Sequence, residues 1–198
     1  MSHRTYSEEL DMTEYDQISK EWYKDADKLH GKLGKRTIRK YGCAICAVAS
    51  VIDYFEENGD GDYTPKTLIN EFSVRTIYPS MCWADVAEEY GLKAKVKWGD
   101  FDDLKDDIFE EIYEEERPVI VCLEGKDGDD DTMHFVVANE FRGTLPVYES
   151  VSGKRRPDTG AIESDMIKVL DSANRGRDLE ELLDCERYNR VTKIIMFK

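Results

Sequence analysis

Two residues of this 198-residue chain carry chemistry by type and position, Cys43 and His134. Cys43 stands where a glycine turn enters an unusually apolar stretch, Tyr41-Gly42-Cys43-Ala44-Ile45-Cys46-Ala47-Val48-Ala49-Ser50-Val51-Ile52-Asp53-Tyr54-Phe55. A thiol at a helix N-terminus faces unpaired backbone N–H groups and the positive end of the helix dipole. Both favour the thiolate, which is the nucleophile. His134 lies far downstream among strand-forming residues, Met133-His134-Phe135-Val136-Val137-Ala138. A cysteine with a sequence-distant histidine has the pattern of a thiol acyl-transfer enzyme. The other two histidines, His3 and His30, sit in polar leading segments, so His134 is the candidate base.

Each residue also has a plainer role to weigh. Cys43 would serve equally as a buried structural thiol and His134 as a satisfied core histidine. Cys43-Ala44-Ile45-Cys46 is a CxxC, but a redox site of that kind belongs after a strand in a βαβ unit. A zinc site needs a second ligand pair, and Cys82, Cys122 and Cys185 are scattered singly. Asn58-Gly59-Asp60-Gly61-Asp62 lacks the closing acid of a calcium loop. No metal and no cofactor is therefore expected. The acidic run at residues 127–131 precedes His134, and at the rim of a cleft it would favour basic substrate residues or a basic protein partner.

These residues must be positioned by the elements around them. Residues 1–30 read as a polar helical lead-in, followed by a cationic loop to Gly42. Cys43 to Phe55 is apolar on nearly every face and predicts a central buried helix. Thr64-Pro65 caps a short helix to about Phe72, and a further helix covers Met81 to Tyr90, stopped by Gly91. Leu92 to Trp98 alternates as a strand. Asp100 to Glu116 is an acidic amphipathic helix with Phe101, Leu104, Ile108 and Ile112 on one face. Val119 to Leu123 and Met133 to Phe141 are strands, and Gly143 starts a hairpin into Leu145 to Ser150. Residues 157–190 read as an unassigned helical insertion, with an acidic helix at Asp178 to Cys185, before a last strand from Val191 to Phe197. Helices first and antiparallel strands afterwards make an α+β pattern in one domain over residues 1–198.

The formal charge of −15 argues against nucleic-acid binding. No apolar run approaches the roughly 20 residues that span a bilayer, so no membrane association is expected. The odd number of cysteines, five, and the absence of a leading apolar segment fit a cytoplasmic protein with reduced thiols.

The order of motifs resembles the papain-like cysteine peptidases of the bacteriocin-processing type, in particular their broad bacterial and phage relatives. The motifs are Leu33-Gly34, Thr37-Ile38 and Tyr41-Gly42-Cys43, then Thr64-Pro65 with Leu68 and Asn70. Tyr90-Gly91-Leu92, Pro118-Val119-Ile120-Val121 and His134-Phe135-Val136-Val137 follow. They cover about two-thirds of the chain. The resemblance implies an α+β papain-like fold, with the helix carrying Cys43 packed on an antiparallel sheet carrying His134. It implies Cys43 as nucleophile and His134 as general base, acting on a peptide or protein substrate. The third member, usually Asp or Asn shortly after the histidine strand, falls at Glu149. The oxyanion side chain, usually a Gln, falls at Tyr23 or Lys24 beside Trp22. With Glu and no Gln at those places, two other readings stand beside a peptidase. One is a catalytically inactive papain-like binding module, and the other is an acidic phage-type interaction protein that engages a host factor.

Overall fold

The computed structural model describes residues 2–22, 42–56, 63–71, 82–125, 133–150, 154–173, 175–185 and 187–198. Strand β1 is Ser2–Glu9, helix α1 Cys43–Phe55, α2 Pro65–Glu71 and α3 Trp83–Glu89. Strand β2 is Ala94–Trp98 and helix α4 Phe101–Phe109, which runs into a wider π-type turn at Glu110–Glu114. Then come β3 (Val119–Glu124), β4 (His134–Glu149), β5 (Arg155–Pro157), β6 (Ile167–Leu170), α5 (Leu179–Asp184) and β7 (Arg190–Phe197).

Among the described residues the strands form one seven-stranded sheet, β1-β4-β3-β7-β2, with β5 and β6 also paired to β4. Every pairing is antiparallel, so the fold is mixed α and β around an antiparallel sheet. The middle strand β3 is buried on both faces, and its alternation sorts the core. Ile120 and Cys122 pack with α1 on one face. Val119, Val121 and Leu123 pack with Leu104, Ile108 and Ile112 of the α4 region on the other.

Helix α1 holds nine buried residues, Ala44 to Ile52. Covering each of its Val and Ile side chains contributes roughly 1.5–3 kcal/mol, which anchors the end that bears Cys43. Helix α4 begins at Asp100, whose carboxylate accepts from the Asp103 N–H, as an N-cap should. Gly91, at φ +69°, closes α3.

Three local expectations are corrected. The polar lead-in begins as strand β1, not as a helix, and residues 10–22 follow without a helix. Only Tyr6 of β1 is buried. The strand forms because its backbone pairs along β4 from Ser2↔Val147 to Glu9↔Glu140, a contact that needs no apolar face. Gly143 makes no hairpin, since β4 runs unbroken from His134 to Glu149. A Cβ at Gly143 would lie 2.5 Å from Met166 Sδ, so the glycine serves close packing rather than a turn. Among the described residues of the insertion at 157–190, α5 is the one α-helix, beside short 3-10 turns at Thr159–Ala161 and Ser164–Met166. The insertion's strand β6 pairs with β4 from Val137↔Leu170 to Phe141↔Ile167. The cationic loop before Gly42 and the acidic run at 127–131 lie outside the described residues.

Candidate functional site

Cys43 is the first residue of α1. Gly42 precedes it, no side chain caps the helix, and no acidic residue lies in the first turn. The dipole and the free N–H groups at this end are therefore left for the sulfur. The backbone N–H groups of Ala44 and Phe135 point at the Cys43 sulfur, and His134 hydrogen-bonds it. His134 opens β4, paired with Leu123, and Leu123 belongs to the core strand β3.

The other end of the imidazole is held firmly. His134 Nε2 lies 2.6 Å from Asp171 Oδ1, and both residues are almost wholly buried. With Nε2 occupied, Nδ1 is the nitrogen left for the thiol. Asp171 follows directly on β6, whose antiparallel pairing with β4 brings it back beside the start of that strand. Its Oδ1 also accepts from Ala173 N–H at 2.9 Å, and its Oδ2 accepts from Arg175 N–H. The carboxylate is thus fixed by its own turn before it meets the histidine.

Tyr188 lies flat on His134, with ring centroids 5.2 Å apart and planes 9° from parallel. Arg175 donates to the Tyr188 hydroxyl and also stands over that ring. Gln17, the only glutamine in the chain, is buried alongside. Its N–H donates to Ser172 O and its Oε1 accepts from Ser172 Oγ, both at 3.1 Å. The N-terminal segment is in this way tied to the residue after Asp171.

The protonation states follow from these contacts. Burial pushes the Cys43 thiol up, but His134 and the Phe135 and Ala44 N–H groups outweigh it and bring its pKa below the ordinary value. Burial disfavours a charged His134, yet the bonds to Asp171 and Cys43 raise its pKa to about 9. Asp171 is lowered, because His134 and two backbone N–H groups overcome its burial. The three groups favour thiolate, imidazolium and carboxylate together. Cys46, one turn further along α1, is pushed well above the usual thiol value by burial and by the Cys43 charge, so it stays a neutral thiol. All five cysteines are free, and among the described residues no three metal-binding side chains converge.

Cys43 and His134 are therefore brought together, while Glu149 is not. Glu149 is exposed at the far end of β4, paired with Arg155, fifteen residues along the strand from His134. At about 3.3 Å per residue the two are tens of ångströms apart. The expectation for Glu149 came from the resemblance, which sets the third member shortly after the histidine strand, whereas here that stretch continues β4 away from His134. Asp171 takes the place beside the imidazole instead. Its only sequence signal was an Asp after the alternating Ile167-Lys168-Val169-Leu170. Tyr23 and Lys24 lie outside the described residues.

Comparison with family models, with curated proteins and with solved structures gave no match. Among the described residues no helix is long and apolar enough to cross a membrane.

Proposed function

We propose that this chain is a cysteine peptidase of papain-like architecture, acting through Cys43, His134 and Asp171. The observation that carries the reading is the continuous chain from the Cys43 sulfur through His134 to the Asp171 carboxylate, built at the N-terminus of a buried helix. The antiparallel sheet bearing the histidine and the helix bearing the cysteine, packed on one face of it, support the papain-like architecture.

In this mechanism the Cys43 thiolate attacks the carbonyl carbon of a peptide bond, and a C–S bond forms. The tetrahedral oxyanion rests on the Cys43 backbone N–H, with Tyr23 or Lys24 as the side-chain donor carried over from the resemblance. His134 gives its proton to the leaving amine as the C–N bond breaks. Asp171 holds the ring in place and stabilises its charge throughout. Water, giving a proton to His134, then attacks the thioester carbonyl, and the C–S bond breaks to release the carboxylic acid product and restore the thiolate–imidazolium pair. Free thiols throughout suit a reducing, cytoplasmic setting.

The test is the pH dependence of iodoacetamide labelling at Cys43 in the native protein and in His134→Ala. Labelling that stays rapid well below the free-thiol pKa of about 8.5, and slows in the variant, is expected. An ordinary thiol titration in both proteins would overturn the reading and favour an inactive binding module.

A further inference from the structure

One row of side chains crosses four neighbouring strands on the α1 face of the sheet. Trp98 of β2 pairs with Lys193 of β7, Lys193 with Cys122 of β3, and Cys122 with Phe135 of β4. The row ends at the thiol, because the Phe135 N–H meets the Cys43 sulfur. Lys193 is only 5 % exposed, making it a buried lysine in a row that leads to the reactive group. Its ammonium sits 4.4 Å from the centre of the Trp98 ring and 5.7 Å from that of Phe135. Trp98 itself is 68 % exposed, so the row opens to solvent at that end.

No carboxylate among the described residues lies within ion-pair distance of Lys193. The contrast with the other part-buried lysines is plain. Lys97 pairs with Asp107, Lys105 with Asp102 and Lys168 with Asp178. Nor does the neighbouring thiol supply a counter-charge, since burial pushes Cys122 up to about 12 and keeps it neutral. Aromatic faces repay part of the cost of burying a cation, and an anion would repay more. In a chain of net charge −15, an ammonium on a largely buried side chain with no carboxylate partner among the described residues is a local exception that a negative group would seek.

We infer that Lys193, framed by Trp98 and Phe135, is a carboxylate-binding subsite that selects substrates with a negative group a few residues from the scissile bond. The substrate's identity as a peptide rests on the function proposed above, whereas the subsite itself rests on the row. The backbones of Lys193 and Phe135 lie roughly 10 Å apart across two strand spacings, but the Lys193 ammonium reaches to 5.7 Å from the Phe135 ring. An extended peptide covers about 3.3 Å per residue, so a carboxylate held by that ammonium belongs to a residue within a few positions of the bond at Cys43. It belongs either to an Asp or Glu side chain or to the peptide's own C-terminus. This chemistry is opposite to the basic preference expected from the acidic run at 127–131.

The test is binding of fluorescent peptides to the Cys43→Ala protein, read by anisotropy. Each peptide carries Glu, Gln or Lys at successive positions and ends in a free acid or an amide. The Glu or free-acid member is expected to bind about tenfold tighter than its neutral counterpart, and which of the two does so identifies the source. Lys193→Gln should erase that ratio, and Lys193→Arg, which keeps the charge on the aromatic shelf, should retain most of it. Equal binding of acidic and neutral peptides, or a ratio that survives Lys193→Gln, would overturn the inference. Because Cys43 is absent from this assay, an unreactive thiol in the labelling experiment would sink the peptidase reading while leaving this result standing.

Discussion

Asp171→Asn is the most discriminating single change. Asn keeps the Oδ1 that faces His134 Nε2 at 2.6 Å and accepts from Ala173 N–H. It loses the negative charge, and it turns an NH2 group toward the Arg175 N–H that Oδ2 now accepts. A hydrogen bond to a charged group is worth about 1.5–3 kcal/mol, so the imidazolium loses about that much. At 1.36 kcal/mol per pKa unit, the His134 pKa should fall by about 1–2 units from its value near 9. The thiolate–imidazolium form is then about tenfold or more less favoured relative to neutral thiol and neutral imidazole. The rate of iodoacetamide labelling of Cys43 at pH 6–7 should drop about tenfold or more, its profile moving toward that of a free thiol. The donor facing a donor at Arg175 should cost a further 1–3 kcal/mol or so in urea unfolding. Glu149→Gln, changed at the exposed far end of β4, should leave the labelling profile untouched. A profile for Asp171→Asn that overlays the native one would refute the assignment of Asp171 as the group that keeps His134 charged.

Two further outcomes follow from the same contacts. His134 is raised from 6.5 to about 9, so taken alone its stabilisation is complete below pH 6.5 and is lost as pH rises through about 9. Cys43 is lowered from 9.0, so its stabilisation is present above pH 9 and is lost as pH falls through its depressed folded value. Above the depressed folded Cys43 value, and between pH 6.5 and 9, the native pair and the unfolded chain each hold one proton, and stability from the pair should be flat there. In Cys43→Ala only the histidine remains, and stability should fall with rising pH from 6.5, by at most about 1.36 kcal/mol per unit. Urea denaturation at pH 6.5, 7.5 and 8.5 measures both slopes, and parallel slopes would contradict a charged pair. At the packing level, Gly143→Val would drive its side chain into Met166 Sδ and Cγ and should destabilise the protein by about 2–3 kcal/mol in urea. A cost near zero would mean that Met166 moves aside freely.

The sequence alone was enough for the helix headed by Cys43 and for the strand that begins at His134. Those features are local: an apolar run of thirteen residues with a glycine before it, and a short β-branched run around the histidine. Local pattern also carried α2, where Thr64 accepts from Thr67 N–H behind Pro65, and the capped start of α4 at Asp100. What pattern could not carry was pairing. Strand β1 is polar because it needs only backbone partners, and Gly143 looked like a turn because its neighbour Met166 lies 23 residues away in sequence. The third site residue belongs to that class. Whether an acid reaches the imidazole depends on which strand lies beside β4 and in what register. Glu149 is near His134 in sequence but is carried to the far end of one unbroken strand, while β6, antiparallel to β4, returns Asp171 to the start of it. The placement of Cys43 and His134 on their elements was therefore written in residue type and local context. Their partner, and the shelf from Phe135 to Lys193, were decided by strand register, which brings residues together across the chain through hydrogen bonds that carry no mark in the sequence.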